Sequence, residues 1–215
     1  MSWLTPFFCG KIEFLTVAEK AMPIQPLSYT VSHLGCSRNE QLLFKPISFT
    51  LESGRGLVVM GANGIGKTTL LRVLAGLLPP ACGQINRNEG YRVAYLGPHH
   101  ALKGTLTPTE QLRYASVANH SQIVAALAQV ELLALSDMPC AHLSSGQKQR
   151  VALAQVALSA APIWLLDEPM NALDSRGVAL FITLLAQHLA RGGMAVIATH
   201  QDIPMTGLHT LTLET

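Results

Sequence analysis

The stretch that most constrains this chain runs from Leu57 to Leu78. LVVM (Leu57–Met60) has no polar side chain, GANGIGKT (Gly61–Thr68) comes next, and TTLLRVLAGLL (Thr68–Leu78) repeats its leucines at helical spacing until Pro79 and Pro80. Short apolar runs of this kind read as buried strands, and the i, i+3, i+4 pattern reads as a helix. GANGIGKT satisfies G-x-x-x-x-G-K-[ST] in the strand–loop–helix setting that this pattern requires. Residues Gly61, Ala62, Asn63, Gly64, Ile65, Gly66, Lys67, Thr68 and Thr69 then form a cradle of backbone N–H groups for a nucleotide's phosphates. Lys67 neutralises charge there, and the Thr68 hydroxyl is placed for Mg²⁺.

The rest of the chain extends the same architecture. ISFTL (Ile47–Leu51) alternates like a half-buried strand. YRVAYLG (Tyr91–Gly97), IWLLD (Ile163–Asp167), MAVIAT (Met194–Thr199) and HTLTLE (His209–Glu214) read as further strands. Residues 107–142 read as two or three short helices, the first opened by Thr107-Pro108-Thr109-Glu110, with proline at the first helical position. Longer helices are expected after Ser144 and over 176–190. Strands alternating with helices predict an α/β fold with a mostly parallel sheet. Apolar residues make up 49% of the chain and charged ones 13%, about half the usual charged share. Strands buried on both faces account for this excess; an additional surface that docks on an apolar partner would also do so.

A net charge of +2 and the lack of a basic block argue against nucleic acid. No apolar run is long enough for a transmembrane helix. Cys9, Cys36, Cys82 and Cys140 are scattered without metal-ligand spacing, as expected of free thiols. Residues 1–21 look foreign to the regular pattern that begins at Met22, and they lack the order of a signal peptide. They are expected to be a dispensable extension, with Met22 as a possible start.

Two further segments carry chemistry. IWLLDEP ends an apolar strand in Asp167, suited to the Mg²⁺ shell, and in Glu168, suited to act as general base toward an attacking water. ATHQ puts His200 at the carboxyl end of another strand, where ligands bind in open α/β sheets. His188 and His209 read as ordinary solvated histidines. LSSGQKQR (Leu143–Arg150) opens a helix with small hydroxyl residues, which leaves N–H groups free for a second phosphate.

LSSGQ resembles the LSGGQ signature of the ABC ATPases, and NALD (Asn171–Asp174) and His200 extend that resemblance over nearly everything from Leu42 onward. The resemblance implies a P-loop fold of the ABC type, with a small antiparallel β part and a helical subdomain at about 98–160 within one domain, 22–215. It implies ATP and Mg²⁺ as ligands, with Thr68 and Asp167 on the metal and Glu168 and His200 as catalytic residues. It also implies a second copy of the chain, bound head to tail, so that Ser144, Gly146 and the helix start serve the partner's γ-phosphate, and it adds Gln147 and Asp174 to the nucleotide-binding residues. That arrangement accounts for two phosphate sites in one chain.

YLGPHHALKGTLTPTEQL, LLDEPMNALD and HLARGG are further similar to the ATP-binding subunits of cytochrome c maturation complexes, the haem-exporter ATPases. That likeness implies a peripheral protein on the cytoplasmic face of the inner membrane, with integral membrane partners that handle haem. An ABC ATPase for a different exported substrate is the alternative. Four positions depart from the wider family. Ser145 replaces a signature glycine, Gln155 an arginine, and Cys36 or Arg38 the aromatic residue that stacks on adenine. Pro98 falls where a glutamine is expected, and His99 is the residue expected to take over its contact.

Overall fold

The computed structural model describes residues 28–39, 41–87, 92–99 and 101–214. The extension 1–21, Tyr91 and His100 lie outside these. In chain order the elements are β1 (Ser28–Gly35), β2 (Ser37–Arg38), β3 (Gln41–Leu42), β4 (Ile47–Glu52), β5 (Gly56–Met60), α1 (Lys67–Leu74), β6 (Cys82–Arg87), β7 (Val93–Leu96), α2 (Pro108–Ala115), α3 (His120–Gln129), α4 (Ser145–Leu158), β8 (Ile163–Asp167), α5 (Ser175–Ala190), β9 (Met194–Ala198) and β10 (Leu208–Thr212).

Five strands form a sheet in the order β10-β5-β9-β8-β7, and every neighbouring pair in it is parallel. All five residues of β8 and all five of β9 are buried, so the apolar composition goes first into a sheet covered on both sides. Side chains alternate between the faces. Trp164, Leu166, Ala195 and Ile197 pack with residues of α2 to α5. Ile163, Leu165, Met194, Val196 and Ala198 pack with α1 and a smaller antiparallel sheet, β4-β1-β6.

The strand β1 has no clear period in the sequence because it contains a bulge. His33 has φ 48, and the pairing register of β1 shifts between Val31 and Leu34, which moves the later apolar residues out of strict alternation. Gly83 of β6 lies under this bulge. A Cβ there would sit 2.2 Å from the His33 carbonyl oxygen, so glycine is required.

The helix α1 stops short of the two prolines. Gly76, with φ 75, takes the left-handed position after it, and the N–H of Leu77 donates to Arg72 O at 2.8 Å. That pairing is a Schellman-type stop, which only glycine accommodates easily. The helix α2 starts as expected: Thr107 accepts from Glu110 N, and Glu110 Oε2 accepts from Thr107 N at 2.9 Å.

His188 departs from the solvated expectation. Its ring stacks on Trp164 with 3.9 Å between centroids, and Nε2 lies 3.0 Å from Met194 O. Burial holds its pKa below the ordinary histidine value. A Cβ on Gly193 would meet this ring at 2.3 Å.

Candidate nucleotide site

Parallel strands bring their carboxyl ends to one edge of the sheet. There β5 runs into the glycine loop, β8 ends in Asp167–Glu168, and β9 leads through Thr199 to His200. Arg38, Asn63, Gly64, Gly66, Lys67, Thr68, Thr69, Asp167 and Glu168 line one cleft of about 180 Å³.

The loop has the backbone that its glycines permit. Gly64 and Gly66 have φ 83 and 114, left-handed values that favour glycine. Gly66 caps α1 without any side-chain hydrogen bond, so the first N–H groups of the helix and the positive end of its dipole remain available to an anion. Lys67 is only 8% exposed. Its Nζ donates to Gly61 O at 2.7 Å and reaches Ala62 O at 3.4 Å, which folds the loop over the ammonium group. An ammonium has three donors, so one remains for a phosphate.

The two carboxylates differ in surroundings. Asp167 is buried, and desolvation pushes its pKa above the ordinary carboxylate value; Glu168 adds to this, while Thr68, Arg72 and Lys67 oppose it. Asp167 Oδ2 and Glu168 Oε2 are buried without a hydrogen-bond partner. A buried, unpaired carboxylate oxygen is costly. A divalent cation held by Asp167 Oδ2 and the Thr68 hydroxyl would remove that cost, and both are the hard oxygen ligands that Mg²⁺ takes. The donor set therefore fits the metal.

Glu168 has φ 50, an uncommon conformation for a side-chain-bearing residue, with a cost of order 1–3 kcal/mol. Its N–H donates to Ala198 O at 2.8 Å, and the N–H of Asn171 closes the turn onto Glu168 O at 3.1 Å. His200 Nδ1 lies 3.0 Å from Glu168 Oε1, a geometry in which Nδ1–H donates to the carboxylate. The strained backbone thus holds Glu168 between the loop and His200.

Ser144, Gly146, Gln147 and Asp174 do not line this cleft. Ser144 and Gln147 form a capping box: Ser144 Oγ accepts from Gln147 N at 3.2 Å, and Gln147 Oε1 accepts from Ser144 N at 2.8 Å. Their side chains are engaged with the helix end, which leaves the N–H groups of Ser145 and Gly146 as the free donors of α4. Asp174 caps α5 by accepting from Gly177 N at 2.7 Å. Arg38 lines the cleft, whereas Cys36 is buried, with its thiol pushed up to about 11, mainly by burial. Of the two candidates for the base-contacting position, only Arg38 can reach a ligand. Pro98 and His99 are exposed just beyond β7, outside the residues that line the cleft. Motif reading does not find Arg72, whose charge acts on Asp167. It stands five positions after the loop lysine on α1, and no pattern marks it.

Comparison with known proteins agrees with this geometry. The ABC transporter family matches residues 44–171, more than half of the chain. The "Cytochrome c biogenesis ATP-binding export protein CcmA" of Mannheimia succiniciproducens is 38% identical over 198 residues, covering 85% of this chain and 92% of that protein. The proteins of the same name from Yersinia pestis and Methylococcus capsulatus are each 43% identical, covering 80% and 81% of this chain and 85% and 91% of theirs. Among solved structures, a putative ABC transporter ATP-binding protein from Pyrococcus furiosus superposes with a TM-score of 0.78 at 25% identity, covering 86% of this chain and 97% of that one. Among the described residues, no helix is long and apolar enough to cross a membrane. Sheet order, loop geometry and these relatives agree that the chain belongs to the ATP-binding proteins of ABC transporters, within the CcmA group of cytochrome c biogenesis.

Proposed function

We propose that the chain is the ATP-hydrolysing subunit of a membrane complex that exports or delivers haem for c-type cytochrome assembly. It works at the cytoplasmic face of the inner membrane, bound to integral membrane subunits. The observation that carries the catalytic part is the convergence of Lys67, Asp167 and Glu168 on one cleft, with His200 on the Glu168 carboxylate. The haem assignment is supported by the names of relatives that cover most of the chain.

In this reading the free N–H groups of the loop and α1 bind the β- and γ-phosphates, and Lys67 places its third donor on them. Thr68 and Asp167 would hold Mg²⁺, which would supply charge neutralisation at the phosphoryl oxygens. Glu168 takes a proton from water as the water oxygen bonds to the γ-phosphorus. The bond from phosphorus to the bridging oxygen breaks, and its electrons leave with ADP. His200 keeps the carboxylate aimed by donating to Oε1. Ser144 and Gly146 lie outside this cleft, which supports the reading that this helix end serves the nucleotide of a second copy bound head to tail.

The test is genetic and chemical. Deleting the gene is expected to remove covalently haem-stained c-type cytochromes, and the wild-type chain restores them while Lys67→Ala does not. Normal cytochromes in the deletion strain would favour an exporter of another substrate.

Pro98 lacks both a side-chain donor and a backbone N–H, so it cannot supply a glutamine's contacts. His99 comes next at the same edge of the sheet and is exposed. His99→Ala is expected to lower the stimulation of ATPase activity by the membrane subunits, and His100→Ala is expected to leave it intact. Unchanged stimulation in both variants would remove His99 from the coupling route.

A further inference from the structure

We propose that Gln149 is a positioning residue for Glu168, and that through it α4 ties the phosphate-binding end of Ser144 to the catalytic turn of the same chain. The inference rests on the reading of Glu168 as general base. Gln149 is 4% exposed, one of few buried polar side chains among the described residues. Its Nε2 donates to Pro169 O at 2.7 Å. Pro169 follows Glu168 in the chain, so the bond anchors the Pro169–Met170 peptide unit, one step beyond the strained left-handed residue.

Neighbouring contacts lie on the same helix face. A Cβ on Gly146 would sit 2.6 Å from Ala172 O, so the first turn of α4 lies directly on the segment after Glu168. Arg150 Nη2 lies 3.6 Å from Asp174 Oδ2, and Nη1 lies 3.9 Å from Glu131 Oε2. Glu131 in turn binds Arg176, at the start of α5. Gly146, Gln149 and Arg150 stand at i, i+3 and i+4, one stripe of the helix, and each meets residues 169–174 or their anchor.

Glu168 is held from the other side by Ala198 O and His200. Those bonds fix the start of the turn, and the Gln149 bond fixes its continuation. A small shift of α4 therefore displaces the Pro169 carbonyl and re-aims the carboxylate. A phosphate that engages the Ser144 end from the partner copy would set the geometry of Glu168 in this copy.

Two variants separate positioning from bulk stability. Gln149→Met keeps length and shape but removes the donor. It is expected to lower kcat by about 10- to 100-fold, the effect of a misaimed catalytic group, with affinity for a fluorescent ATP analogue within about twofold of wild type. Gln149→Glu introduces a carboxyl that can donate to Pro169 O only when protonated. Its kcat relative to wild type is expected to rise as pH falls, a signature that loss of packing alone does not produce. Wild-type kcat in Gln149→Met, or a Gln149→Glu profile parallel to wild type, would overturn the proposal. Measuring Glu168→Gln alongside separates the two readings. If that variant is inactive while Gln149→Met turns over normally, only the positioning role fails. If Glu168→Gln turns over normally, the base assignment fails and this inference fails with it.

Discussion

Glu168→Gln is expected to slow ATP hydrolysis by about 10²–10⁴-fold, the usual contribution of a positioned general base, and to leave nucleotide affinity almost unchanged. The amide matches the carboxylate in size and can still meet His200, so the turn from Glu168 to Asn171 keeps its shape. Binding is expected to be unaffected because, in the proposed reading, the phosphates are held by Lys67 and by loop and helix N–H groups, none of which the substitution touches. Removing the partly buried carboxylate beside Asp167 also removes one cause of the raised Asp167 pKa, which favours metal binding. With binding intact and hydrolysis blocked, nucleotide bridges two copies and is not consumed. Size-exclusion chromatography of the variant with Mg-ATP is expected to show a dimer that wild type does not accumulate. A strictly monomeric profile with confirmed nucleotide binding would argue against the head-to-tail arrangement.

What is legible in the sequence tracks physical locality. GANGIGKT, IWLLDEP and LSSGQ each carry their chemistry within a few residues. Their strand and helix settings are equally local, so the motif positions and the parallel sheet can be read directly. Ser144 can be placed at a helix start because capping is a near-neighbour effect. Its mutual bond with Gln147 is the same effect seen from both ends.

The features that sequence does not disclose depend on distant partners. His188 reads as a surface residue by helix position, but Trp164 lies under its ring and Gly193 makes room for it. Gln149 reads as one more polar residue of a helix until Pro169 is found against it. The strand β1 is obscured by its own bulge, which breaks the period that marks a strand. The choice between Cys36 and Arg38 is a question of which side chain faces the cleft, and these two nearby positions answer it oppositely.

Lys67→Ala is expected to act differently from Glu168→Gln, because Lys67 shapes the loop and, in the proposed reading, also meets the phosphates. Its Nζ bonds Gly61 O. The substitution therefore frees that carbonyl and lets the loop open, and it also deletes the cation that the γ-phosphate approaches. Loss of one such charge-stabilising contact costs about 10²–10³-fold in turnover, and here affinity falls with it. Thermal unfolding separates the two variants. A ligand at a hundred times its Kd stabilises the folded chain by about 2.7 kcal/mol. For a chain of this size that corresponds to a rise in Tm of roughly 5–10 °C. Wild type and Glu168→Gln are expected to show this rise with Mg-ATP, and Lys67→Ala to show little of it at the same concentration. The stability of Lys67→Ala without ligand should stay close to wild type, since the freed carbonyl belongs to a partly exposed loop residue that water can reach. A full ligand-induced rise in Lys67→Ala, or turnover near the wild-type rate, would show that the cradle around Gly61–Thr69 is not where the phosphates are held.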